Sequence, residues 1–167
     1  MIKVKTPISD EVIRGLQVGD TIEISGLIFT GRDAALPRLV KFYQENLLMD
    51  HAIDLNGGVI FHTAVSPAGV GPTSSNKSEI EDNIGILSEA GIKIHVGKGS
   101  LKESTIEELK NNNSVYAVTP PVTALLGSKI KSKKIIAFPE EGMEAMHVLE
   151  VENFPAIIAA AKGETIF

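Results

Sequence analysis

The sequence predicts an α/β fold with a largely parallel central sheet and a smaller additional sheet. Short β-rich runs alternate with amphipathic helical segments from Thr21 to Phe138, the pattern of parallel strands joined by helical crossovers. Both ends of the chain depart from this alternation with β-rich stretches, which are the material for a second, smaller sheet.

Ile2-Lys3-Val4-Lys5 alternates like a strand, and Val18-Gly19-Asp20 turns the chain into the β-rich run from Thr21 to Thr30, which Gly26 breaks or bends. Leu36, Leu39, Val40, Tyr43 and Leu47 recur at helical spacing and predict an amphipathic helix over 33–48, with Pro37 in its first turn. A short apolar strand follows over 58–64, then a Gly-, Pro- and Ser-rich loop, then a helix marked by Ile80, Ile84 and Leu87. The alternation continues with a strand over 92–96, a helix around 105–110, a strand over 115–118, a helix from about 121 to 130 and a strand over 134–138. The end reads as two strands, 146–151 and 156–161, joined by the turn Glu152-Asn153-Phe154-Pro155. No repeat, low-complexity tract or linker divides the chain, so 1–167 is expected to be a single domain.

Composition removes several classes of function. With 43% hydrophobic and 22% charged residues the chain is of the globular type. Its net charge is -5, and no face-sized run of Lys or Arg offers the clustered cations that nucleic acid requires. Lys129, Lys131, Lys133 and Lys134 form a local basic stretch that reads as a solvated helix end. The absence of cysteine excludes a disulfide, a thiolate nucleophile and a Cys-ligated zinc or iron-sulfur site within this chain. The first residues lack the apolar core of a signal peptide, and no window approaches the ~20 apolar residues of a membrane span, so a cytoplasmic protein with no membrane partner is expected.

Three strand-to-helix junctions carry the same chemistry, a small or hydroxyl residue beside a cation: Thr30-Gly31-Arg32-Asp33, Gly71-Pro72-Thr73-Ser74-Ser75-Asn76-Lys77 and Gly97-Lys98-Gly99-Ser100. In an open parallel sheet such junctions gather at the carboxyl ends of the strands, where ligands bind. Glycine lets backbone N–H groups approach a ligand, a helix start supplies a positive dipole end, and the cation supplies full charge, so the expected ligand is a small carboxylate or phosphate. Arg32 suits a two-point grip on a carboxylate, whereas Lys77 and Lys98 act as point charges. Taken singly, each loop reads better as an ordinary helix cap or turn, and only the three together, each with a cation in the same relative place, point to binding; for Thr73 a cap and a ligand role stand side by side. His51, His62, His95 and His147 show no paired metal spacing, and of these only His62 stands near the junctions. Glu79, Glu81 and Asp82 read as solvent-facing, and Glu140-Glu141 as the start of a helix.

These junctions, together with Phe138-Pro139-Glu140-Glu141-Gly142-Met143-Glu144-Ala145-Met146 and Glu150-Val151-Glu152-Asn153-Phe154-Pro155-Ala156, stand in an order that resembles the β subunit of class I iron-sulfur-dependent fumarases and tartrate dehydratases. The resemblance spans essentially the whole chain. It implies a swivelling β/β/α domain and a hydro-lyase that hydrates fumarate to malate reversibly. The resemblance also implies that a separate α subunit holds a four-iron four-sulfur cluster, with this chain as the cluster-free β partner of an αβ hetero-oligomer. Carried over by motif, Arg32, Thr73, Lys77 and Lys98 are the residues implied to contact a small dicarboxylate, with Thr73 orienting or relaying a proton. Three positions depart from the family pattern. Lys77 stands where an arginine is common, which loses a bidentate grip. Leu36 stands where a histidine is common, and Pro120-Pro121-Val122-Thr123 replaces a glycine-rich segment. The alternatives are the β subunit of an L-tartrate or other hydroxy-dicarboxylate dehydratase, and a non-catalytic anion-binding module.

Overall fold

The computed structural model describes residues 1–67, 69–73, 77–120 and 123–167, without the side chains of residues 72, 73, 77–79 and 123. Strand β1 (Ile2–Lys5) and the short helix α1 (Asp10–Arg14) lead into the long strand β2 (Thr21–Thr30) and helix α2 (Ala35–Gln44). Strand β3 (Gly58–Phe61) runs on into a hairpin of β4 (Thr63–Ser66) and β5 (Gly69–Thr73). Helix α3 (Lys77–Glu89), β6 (Ile92–Gly97), α4 (Glu103–Asn111), β7 (Val115–Val118) and α5 (Thr123–Ser128) continue the alternation. Strand β8 (Ile130–Ala137), a 3₁₀ turn (Pro139–Glu144), β9 (Met146–Ala161) and β10 (Glu164–Thr165) follow.

The central sheet is parallel where the alternation predicts it: β1, β2, β3, β6 and β7 are neighbours in that order, and each pairing is parallel. The long strand β9 then closes it. It pairs antiparallel with β2 from Val148 opposite Phe29 to Ile157 opposite Thr21, and with β7 from Ile157 opposite Val118 to Ala160 opposite Tyr116. Strands β2, β3, β6, β7 and β9 therefore form a ring, with β8 and β10 paired to β9 outside it. The smaller sheet is the β4–β5 hairpin. The chain ends, expected to build that sheet, instead join the main one.

The expected turn at 152–155 is also corrected. Met146 to Ala161 is one strand of 16 residues. Asn153 adopts φ 55 and donates its N–H to Ser25 Oγ at 3.0 Å, while the β2 register shifts between Ile24 and Gly26. The left-handed residue is a bulge that bends and twists the strand without ending it. Gly26, at φ 107, allows the matching bend in β2: a Cβ there would sit 2.4 Å from Thr6 Oγ1.

Successive strand residues point to opposite faces, and here both faces are covered. Ile24, Ile28, Phe61, Val96, Leu149, Phe154 and Ile158 fill the inside of the ring. Ile60, next to Phe61, and Tyr116, next to the inward Ala117, face outward and pack against Leu36 and Leu39 of α2, Ile84 and Leu87 of α3 and Leu109 of α4. Helix α2 is shorter than the apolar spacing predicts, because Asn46 at φ 58 breaks it and Leu47 N–H turns back to Phe42 O. The segment 71–73, expected as loop, is the end of β5, and Lys131, Lys133 and Lys134 lie on exposed β8, not at a helix end. Exposed lysines on such an edge discourage pairing with another sheet. Among the described residues no helix is long and apolar enough to cross a membrane.

Candidate functional site

The sheet register decides how the three junctions meet. Thr30, Phe61 and Val96 stand in one row across β2, β3 and β6, and the ladder continues beyond it, with Gly31 N–H donating to Phe61 O and His62 N–H to Val96 O. Arg32 and Lys98 each lie two residues past that row, at the carboxyl ends of strands that have only β3 between them. At ~4.8 Å per strand spacing, their backbones are about 10 Å apart, so two long side chains can meet on one small ligand. Thr73 ends β5 opposite Thr63, which itself follows directly from β3. Buried Thr63 ties the hairpin down by donating Oγ1–H to Gly71 O at 2.7 Å. The backbone of Thr73 is thus held beside the same strand end, and Lys77 opens α3. The side chains of Thr73 and Lys77, and residues 74–76 between them, lie outside the described residues.

Lys98 is exposed at its loop and lines a cavity of about 10 Å³ together with His62, Glu81, Tyr116, Ile80, Ile84 and Leu101. Its loop is glycine-rich for a reason other than ligand approach alone. A Cβ at Gly97 would stand 2.8 Å from His62 Nδ1 and 3.2 Å from the Tyr116 hydroxyl. Glu81, expected to face solvent, is buried and holds the end of this loop: Oε1 accepts from Lys102 N–H at 2.8 Å and from Thr105 Oγ1–H at 2.9 Å. Lys102 at the N-cap of α4 supplies no side-chain acceptor, so a carboxylate from α3 takes that place, where the helix dipole favours negative charge. Burial, and then the Glu81 charge, raise the Tyr116 phenol well above its ordinary range, so it stays a neutral donor.

His62 and His95 are buried side by side, ring centroids 6.2 Å apart, and His95 Nε2 shares a 2.7 Å hydrogen bond with Ser88 Oγ. Neither His62 Nε2 nor His95 Nδ1 has a hydrogen-bond partner among the described residues. Burial pushes His62 down to about 4, with the Asp33 carboxylate opposing, and burial followed by the His62 charge holds His95 well below the usual imidazole range. Both are neutral in the folded chain at pH 7. As pH falls from about 6.5 toward 4, the unfolded chain binds protons at these rings that the folded chain refuses, so stability present above that window is lost within it. For His62 alone the expected loss between pH 7 and pH 5 is about 2 kcal/mol. Thermal melting across that range checks it, and His62→Leu is expected to flatten the profile.

Arg32 is held from the far side of the sequence. Its Nη2 donates to Glu144 Oε2 at 3.0 Å, and Glu144 Oε1 accepts the Ala34 N–H at 3.3 Å. Sequence reasoning missed Glu144, Glu81 and Tyr116 as parts of the site. Glu144 lay inside a motif that carried the resemblance, but nothing in its spacing tied it to Arg32, 112 residues away.

The family model described as fumarase C-terminus matches residues 1–167. The chain is 32% identical to a putative class I fumarate hydratase of Geobacillus stearothermophilus, over 95% of its own length but only 32% of that protein's. It is 29% identical to a putative L(+)-tartrate dehydratase subunit beta of Methanocaldococcus jannaschii, covering 93% of this chain and 85% of the relative. With the L(+)-tartrate dehydratase subunit beta of Escherichia coli K12 the identity is 28%, over 93% and 80% of the two chains. A closed, mostly parallel sheet with its cationic junctions gathered at one end, matched end to end by a single family model, places the chain in the fumarase C-terminus family.

Proposed function

We propose that this chain is the β subunit of an iron-sulfur-dependent hydro-lyase, completed by an α-type chain, that reversibly hydrates fumarate to malate. The observation that carries the reading is the convergence of Arg32, Lys98 and the Thr73 backbone on adjoining strand ends. In this reading Arg32 grips one carboxylate of the dicarboxylate and Lys98 and Lys77 add point charge. These cations hold the substrate and stabilise the negative charge that develops on a carboxylate as water adds to the neighbouring carbon. Thr73 orients or relays the proton. The chain has no cysteine, so its own residues do not fit a thiolate-ligated cluster; in this reading the cluster belongs to the α-type chain.

The β subunit of an L-tartrate dehydratase is the second reading. Two relatives named as L(+)-tartrate dehydratase subunit beta, at 29% and 28% identity, support it. Anaerobic co-expression with an α-type chain, followed by assays with fumarate, L-malate and L-tartrate, separates the two. Turnover is expected in the complex and absent from this chain alone. Turnover by the isolated chain, or an intact complex inert toward all three, would overturn the proposal.

A further inference from the structure

The motif from Phe138 to Met146 makes polar contacts with both the Arg32 loop and α2. Phe138 adopts φ 56 and stacks beneath Arg38, whose Cζ lies 4.3 Å from the ring centroid. The Arg38 Nη1 group pairs with Glu140 at 2.5 Å and Glu141 at 3.2 Å, which fastens the 3₁₀ turn to α2. On its other side the turn leads into β9, where His147 N–H donates to Thr30 Oγ1 at 3.1 Å. Between these two anchors Glu144 reaches back, one oxygen on Arg32 Nη2 and the other on the Ala34 N–H. Side-chain exposures of 22% for Arg32 and 29% for Glu144 keep the pair partly out of water, where it is stronger than a surface contact.

We infer that Glu144 is the positioning residue of Arg32: it anchors Nη2 relative to the start of α2, so that the guanidinium meets a carboxylate ligand already in place. An unheld arginine must surrender its rotamer freedom on binding, and a preset one does not. The Ala34 amide fixes the carboxylate, and the fixed carboxylate holds Nη2 in place, which a freely moving ion-pair partner would not. The ligand role of Arg32 rests on the function proposed above; the fixing of its side chain does not.

The test is Glu144→Gln in the complex with the α-type chain. The substitution keeps shape and removes charge. With whichever dicarboxylate turns over, KM is expected to rise roughly tenfold and kcat to stay within about twofold, because orientation for binding is lost while the reacting groups remain. An unchanged KM overturns the inference. So does a lower KM, which would mark Glu144 as a competitor for the substrate's place. A second measurement needs no turnover. Arg14, Arg32 and Arg38 are the only arginines, so the Arg32 side-chain nitrogens can be assigned by NMR with Arg32→Met. In the cooled wild-type chain the two Nη signals of Arg32 are expected to be separate, and in Glu144→Gln to merge. If the complex proves inert, the proposed function fails while these spectra still decide the positioning. Merged signals in the wild-type chain overturn it even if the variant does not fold.

Discussion

Replacing Phe154 by alanine is expected to destabilise the chain by about 3–5 kcal/mol, the range for removing a fully buried aromatic ring. Phe154 is 0% exposed, pairs across from Ile24, and meets Phe61 edge-on with centroids 5.3 Å apart. It sits beside the bulge at Asn153, and its ring fills the inside of the closed sheet. The surrounding strands are hydrogen-bonded on both sides and cannot collapse into the space, which places the cost toward the upper part of the range. For a chain of this length the melting temperature is expected to fall by about 10 °C. A drop of only a few degrees would mean that β9 is not a wall of the ring at this position.

Phe154 also marks where sequence reasoning about the fold ran out. The alternation of apolar runs placed every parallel strand from β2 to β7, because strands buried on both faces are short continuous hydrophobic segments that stand apart from amphipathic helices. Glu152-Asn153-Phe154-Pro155 has turn composition, and local composition does not distinguish a turn from a bulge. The difference lies in Ser25 Oγ accepting the Asn153 N–H, from a residue 128 positions away. The hairpin of β4 and β5 was hidden for a similar reason: glycine and proline read as loop until a partner strand supplies the pairing.

At the site, Arg32 and Lys98 were legible because a cation beside a glycine at a strand end is a local pattern. The groups that hold them were not. Glu81 lies within an acidic run on α3 that looks solvated, yet it turns inward because the start of α4 lacks a side-chain acceptor of its own. His62 and His95 show no spacing that hints at mutual contact; they become neighbours through the β3–β6 pairing. Local pattern picks out the cations at the strand ends, and long-range register picks out the groups packed around them.

Replacing Arg32 by methionine is expected to have the largest effect on activity. In the complex with an α-type chain, kcat/KM should fall by roughly 2–4 kcal/mol of transition-state stabilisation, the scale of one well-placed electrostatic donor. Lys98→Met should cost less, since a flexible ammonium offers a point charge where the guanidinium offers a planar fork. Stability should change far less than activity. The Arg32–Glu144 pair is only partly buried, and the Glu144 carboxylate left behind still accepts the Ala34 N–H, so the penalty for an abandoned charge stays at about 1 kcal/mol. Kinetics and thermal melting measured on the same preparation therefore separate two roles. If Arg32→Met lowers the melting temperature by ten degrees or so while the surviving folded fraction keeps its kcat/KM, then Arg32 is a structural tie between the 3₁₀ turn and α2, and the dicarboxylate must be held by other groups.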